Sequence, residues 1–201
     1  MVRDLYLGQR DRLIDQLHAL DPNWSYASLG EPGTAQGRLN DLTDLRAQRA
    51  AMVYSQTGDT QLLQVETLRT VQRFVDEGYA LGTRRFDDGL LSPRLNRNEA
   101  IGNFVDQYAR QNLQRWFNQY GVSTGATLPI GVNNRAYAAD GSYRIPDLRV
   151  GNAAFDPTLS LKTASTPQVQ GFFNAKFAPS SVTIVRPTAL GGSYIIPRPR
   201  H

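Results

Sequence analysis

The chain has 201 residues, 40% of them apolar, and carries 22 basic and 18 acidic side chains for a net charge of +4 at pH 7. That is enough for one domain, or for one domain with a small helical appendage. It has no cysteine, and its two histidines are His18 and His201; disulfide frameworks, Ser-His-Asp hydrolases, Cys-His amidases, His-metal nucleases and zinc peptidases are thereby excluded.

No apolar run approaches the ~20 residues of a membrane span, so no membrane segment is expected. The opening Met1-Val-Arg-Asp-Leu-Tyr6 reads as helix, with no secretory signal. Leu5, Leu13, Ile14, Leu17 and Leu20 recur at helical spacing and predict a helix over 2–20 that stops at Asp21-Pro22. The Gly/Pro-rich run at 29–33 reads as a loop. Leu39, Leu42, Leu45 and Met52 predict a second helix over 38–55, and Leu62 to Val75 a third over 59–81. Residues 82–97, with Gly82, Asp87-Asp88-Gly89 and Ser92-Pro93, read as a loop and candidate linker. A fourth helix over 97–120 has one broad apolar face from Ile101 to Tyr120. Asn96 and Glu99 fit a capping box at its start.

After Tyr120 the periodicity changes. Strands are predicted at 128–138, 143–150 and 155–162, with Asp140-Gly141 as the hairpin turn between the first two. A short helix starts at Thr166-Pro167, followed by strands at 181–186 and 194–196. The fold class is therefore α+β. It divides into a helical region, 1–90, and an α/β core, 97–201, in the order helix, three strands, helix, strand. Tyr137, Phe172 and Phe173 are read as core rather than base-stacking groups.

Charge is unevenly spread. Residues 1–120 hold 14 arginines, no lysine and 15 acids; residues 121–201 hold 6 arginines, 2 lysines and only Asp140, Asp147 and Asp156. A basic half suits a polyanionic substrate. In a chain so biased to arginine, Lys162 stands out as a compact ammonium on a flexible stem. Pro146-Asp147 on one strand and Lys162 on the next are the skeleton of a metal-dependent phosphodiesterase site. Arg84-Arg85 and Arg198-Pro-Arg200 are further candidates for phosphate contact.

The order of elements, with Tyr143-Arg-Ile-Pro-Asp147, Phe155-Asp-Pro-Thr-Leu-Ser-Leu-Lys162-Thr and Thr166-Pro-Gln-Val-Gln-Gly-Phe172, resembles the PD-(D/E)XK nucleases. These stretches look still more like the toxin domains of bacterial polymorphic toxins and secretion-system effectors. The resemblance covers residues 97–190. It implies a restriction-endonuclease-like αβββαβ core and Mg²⁺- or Mn²⁺-dependent endonuclease activity, with DNA ahead of RNA as the nucleic-acid substrate. It also implies synthesis in a bacterial cytoplasm, delivery into a target cell by a route such as type VI secretion, and a cognate immunity protein as partner. Within the resemblance Asp147 is a metal ligand and Lys162 orients water or stabilises phosphorane charge. Gln168 matches a glutamine carried after the lysine strand, and Glu99 is the first-helix acid.

The chain departs from the family where Ser160 replaces the acid two residues before the lysine. The nearest acid, Asp156, lies about 20 Å away on a straight strand. The second ligand is then either Asp156, brought in by a bend at Pro157, or Glu99; the toxin-like stretch favours Asp156. The rival reading is a non-catalytic interaction or delivery module of an effector, and the missing acid at Ser160 is its support. An ADP-ribosyltransferase is a weaker option, since no Glu follows Glu99.

Overall fold

Four helices open the chain and a mixed sheet closes it. In a computed structural model, which describes residues 2–28 and 33–199, the helices are α1 (Val2–Leu20), α2 (Ala35–Thr57), α3 (Gln61–Asp87) and α4 (Arg97–Gln119). No helix among the described residues is long and apolar enough to cross a membrane. The loop expected at 29–33 and the tail arginine Arg200 lie mostly outside the described residues. The structure forms two compact units: Met1–Glu66 with Tyr120–Val122, and Thr67–Gln119 with Ser123–His201.

In the first unit α1 and α2 pack through Leu17, Leu42, Leu45, Ala47 and Ala50. The start of α2 is fixed by Thr34, whose hydroxyl accepts from the Gly37 N–H at 2.9 Å. Two acids are buried here with tyrosine partners. Asp41 accepts from Tyr6 (2.7 Å) and Tyr26 (2.9 Å), and Asp44 accepts from Tyr120 (2.7 Å) and Gln48 (2.6 Å). Burial pushes the Tyr6 hydroxyl up to about 12, helped by the Asp41 charge.

In the second unit α3 continues through residues 82–87, which the sequence reads as loop. Gly82 serves packing there instead of breaking the helix: a Cβ on it would stand 2.9 Å from the Phe104 ring of α4, and one on Gly78 would stand 3.1 Å from the Tyr108 ring. The stop comes at Gly89, with φ of 70°. The Leu90 N–H bonds the Arg85 carbonyl and the Gly89 N–H bonds the Phe86 carbonyl, which is a Schellman closure. At the head of α4 the Asn96 side chain accepts from the Glu99 N–H (3.0 Å), and the Glu99 carboxylate accepts from the Asn96 N–H (3.3 Å).

The strands are β1 (Ile130–Val132), β2 (Ala136–Tyr137), β3 (Tyr143–Arg144), β4 (Leu148–Val150), β5 (Ala153–Pro157), β6 (Ser181–Val185) and β7 (Tyr194–Pro197), with α5 (Pro167–Phe173) between β5 and β6. The sheet order is β1-β4-β5-β6-β7. Its β5–β6 pair is parallel and the others antiparallel, while β2 and β3 form a separate hairpin. The Asp140-Gly141 turn therefore joins β2 to β3 and not two strands of the main sheet. Asn133, with φ of 53°, turns the chain out after β1, and Pro146 offers no N–H to extend β4 backwards.

The predicted strand over 155–162 also ends early, at Pro157. Beyond it the Thr158 N–H bonds the Val185 carbonyl, and the Ser160 N–H bonds the Thr158 hydroxyl, so the chain leaves the sheet. α5 crosses over one face, burying Val169, Phe172 and Phe173 against Ala154, Val182, Ile184 and Ile196. Tyr137, expected in the core, is exposed.

Candidate functional site

A two-residue turn, Gly151-Asn152, sets the site. Gly151 takes φ of 57° at the first turn position, as a II′ hairpin requires. The register that follows pairs Val150 with Ala153 and Leu148 with Phe155. Carried one step further it sets Asp147 opposite Asp156, at the spacing where cross-strand side chains interact. Two carboxylates on adjacent strands are thus neighbours although nine positions separate them in sequence.

Lys162 arrives from the loop after β5 and not from the strand itself. Its Nζ donates to Asp156 Oδ2 at 2.6 Å and to Gln168 Oε1, on the first turn of α5, at 2.6 Å. The sequence reading bends Asp156 back towards the lysine; in the structure Asp156 stays in the strand, 1% exposed, and the lysine folds back to it. Tyr194 of β7 clamps the lysine's main chain. Its hydroxyl accepts from the Lys162 N–H at 2.7 Å and donates to the Lys162 carbonyl at 2.8 Å. The Arg186 Nε holds the same loop through the Leu159 carbonyl at 3.2 Å.

Asp106 of α4 completes the cluster and was not singled out from the sequence. Its carboxyl stands against that of Asp147, and each bears on the other's protonation. Its Oδ2 pairs with Arg110 at 2.7 Å, and Arg110 in turn donates to Asn133 at 2.8 Å. Asp106 Oδ1 is buried and accepts no hydrogen bond. One signal did mark this residue. α4 has only two acids, and Asp106 is the one that interrupts the apolar face, directly after Phe104-Val105.

Glu99 lines the same cleft but is engaged in the capping box with Asn96. The cleft has a volume of about 730 Å³ and its wall includes Asp106, Asp147, Asp156, Lys162, Gln168 and Arg186.

The electrostatics are strained in one direction. Burial raises Asp147 to about 8, reinforced by the charges of Asp106 and Asp156. Burial also raises Asp106, with Arg110 opposing, and Asp156, with Lys162 opposing. Three carboxylates face one lysine and one arginine.

Among the described residues no three acidic or imidazole side chains are drawn close enough to form a ready metal-binding group. The donors nevertheless fit a hard divalent cation in kind. They are all oxygen, they carry excess negative charge, and Asp106 Oδ1 lacks a partner. Asp106, Asp147 and Asp156 are the residues that would hold it.

Of the other candidates, Arg84 and Arg85 lie in the last turns of α3, with Arg85 over the Phe104 ring at 5.2 Å. Arg198 bonds the Phe173 carbonyl and covers the Phe173 ring. No family model matches this chain, and no curated protein and no solved structure matches it either.

Proposed function

We propose that the chain is a metal-dependent endonuclease acting on DNA, the toxin domain of an antibacterial effector with a cognate immunity protein. The observation that carries this reading is the cluster of Asp106, Asp147 and Asp156 against the Lys162–Gln168 pair, at the end of two adjacent strands in an open cleft. The order α4, three antiparallel strands, α5, parallel strand supports it, because it is the order of a restriction-endonuclease-like core. Mg²⁺ or Mn²⁺ bound by the carboxylates supplies Lewis acidity and lowers the pKa of bound water.

The protein's own groups do the rest. Asp147, raised to about 8 by burial and by the charges of Asp106 and Asp156, holds a proton near neutral pH, and with Asp106 and Asp156 it would hold the cation. The Lys162 ammonium, aimed by Asp156 and Gln168 and fixed from behind by Tyr194, neutralises charge on a phosphate oxygen entering the cleft.

One observation favours the rival reading of a non-catalytic interaction or delivery module: Lys162 already has its counter-ion in Asp156, as a purely structural buried pair would. Plasmid cleavage separates the two. Wild-type protein with Mg²⁺ or Mn²⁺ is expected to nick and linearise plasmid DNA, and EDTA, Lys162→Ala or Asp147→Ala to abolish this. Cleavage that persists in both variants removes the site from the argument. A folded wild-type protein inert on both DNA and RNA leaves the interaction module standing.

A further inference from the structure

A second cavity, of about 200 Å³, is lined by Arg135, Arg149, Lys176, Tyr137 and Phe177, where the β2–β3 hairpin meets the segment after α5. Three cations converge on it, and among the described residues none of them is ion-paired with a carboxylate. The nearest acid in sequence on the hairpin, Asp140, is spent on Ser142 at the turn, by both the N–H (2.9 Å) and the hydroxyl (2.6 Å). Arg149 Nη2 donates to the carbonyls of Gly125, Ala126 (3.1 Å) and Leu128, and its guanidinium lies over the Phe177 ring at 5.3 Å. Arg135 lies over the Tyr143 ring at 4.7 Å. Tyr143 and its cross-strand partner Tyr137 have ring centroids 5.8 Å apart and are 42% and 45% exposed.

The hairpin is anchored. Lys176 donates its N–H to the Tyr137 carbonyl at 2.7 Å, an isolated bridge joins Ala138 to Ala175, and Arg144 lies over Gly171, where any side chain would collide with it. Arg149 is spent on backbone carbonyls, but Arg135 and Lys176 stand beside half-exposed tyrosine faces with no carboxylate partner, a poor use of charge in a structural corner. It makes sense for a surface that receives phosphates and bases.

Placement joins this cavity to the cleft. Arg149 of β4 pairs with Ala154 and lies two residues beyond Asp147, about 7 Å at strand rise. We propose that the cavity and the Tyr137–Tyr143 pair form a binding platform for the single-stranded flank of a nucleic acid. The cations take phosphates beside the one at the carboxylates, and a tyrosine face stacks an unpaired base. The choice of ligand rests on the nuclease reading above.

The test is fluorescence anisotropy of a labelled single-stranded DNA oligonucleotide, in EDTA to prevent cleavage, across a salt series. The proteins are wild type, the double variant Arg135→Gln/Lys176→Gln, Tyr143→Ala, Lys176→Glu and the exposed α1 control Arg12→Gln. Losing two phosphate contacts is expected to make the log K against log salt slope shallower by about 1.4. Tyr143→Ala is expected to weaken binding about tenfold, by the loss of one stacked base. Arg12→Gln is expected to match wild type. Lys176 is exposed, so Lys176→Glu reports on the site without a folding defect and should weaken binding at low salt. Wild-type slope and affinity in both the double variant and Lys176→Glu overturn the platform, even if plasmid is cleaved. A wild-type protein that cleaves nothing but shows these binding losses overturns the nuclease reading and leaves the platform in place.

Discussion

Replacing Asp147 by Asn should stabilise the metal-free protein at alkaline pH, the reverse of what removing a site residue usually suggests. Asp147 is raised from 3.8 to about 8, chiefly by burial and then by Asp106 and Asp156. The folded state therefore keeps a proton that the unfolded chain has lost above its ordinary carboxylate pKa. Stability then falls as pH rises from about 4 to about 8 and levels off beyond. Asp106 and Asp156, also raised, act in the same direction, while Arg110 and Lys162 oppose it. At about 1.4 kcal/mol for each pH unit the ceiling on the effect is ~6 kcal/mol. Because three carboxylates share the strain and readjust when one is lost, about 2 kcal/mol is the working expectation, or roughly 4–8 °C in Tm. Asn keeps the shape and drops the charge. Thermal unfolding by circular dichroism in EDTA at pH 5.5 and pH 8.5 reads this directly. Wild type should lose stability between the two, and the advantage of Asp147→Asn over wild type should be clearly larger at the higher pH. An Asn variant no more stable than wild type at pH 8.5 refutes the crowded-carboxylate account.

The remaining expectations concern single residues. Asp106→Asn should reduce plasmid cleavage about 100-fold or more, whereas Glu99→Gln should stay within a few-fold, because Glu99 serves the helix cap; equal losses in initial rate would put both acids in the site. Lys162→Met leaves Asp156 buried without its cation and should cost about 3–5 kcal/mol in chemical denaturation, unless the pH is low enough to protonate Asp156. Mg²⁺ should raise Tm more at pH 8.5 than at pH 5.5, since the cation competes with the proton on Asp147; a pH-independent increment would place the ion elsewhere. Asp41→Ala strips two tyrosine hydroxyls of their acceptor in the first unit and should destabilise it by about 2–4 kcal/mol, read as increased hydrogen exchange in α1 and α2.

Much of the fold is written in local pattern. α1 runs over the predicted residues, α4 starts at its capping box, and α5 begins with Pro167 in its first turn. What local pattern misreads is where tertiary contact decides. Gly82 looks like a breaker until Phe104 lies against it. The Asp140-Gly141 turn is real, but nothing in its own residues says which strands it joins. The candidate site divides the same way. Asp147, Asp156, Lys162 and Gln168 stand out by residue type, yet their convergence depends on strand register and on a loop that leaves the sheet at Pro157. The Gly151-Asn152 dipeptide, two residues between apolar runs, carries the register in plain view. Counting outward from it sets Asp147 against Asp156, a cross-strand distance that measuring along one strand to Lys162 could not reveal. Asp106 shows in the sequence as an acid beside the apolar face of α4, but only the packing of that helix on the sheet brings it to the other two carboxylates.

The clamp on Lys162 comes from late in the chain. Tyr194 lies on the last strand, 32 positions beyond the lysine whose N–H and carbonyl it binds. A ribosome emits the carboxylates, the lysine and the glutamine first, and must finish β6 and add β7 before the lysine's backbone is held. Any product that stops short of Tyr194 has every charged member of the cluster and lacks the bond pair that orders them. Order in the cluster thus waits on β7, and the aromatic hydroxyl of a strand far along the chain supplies it.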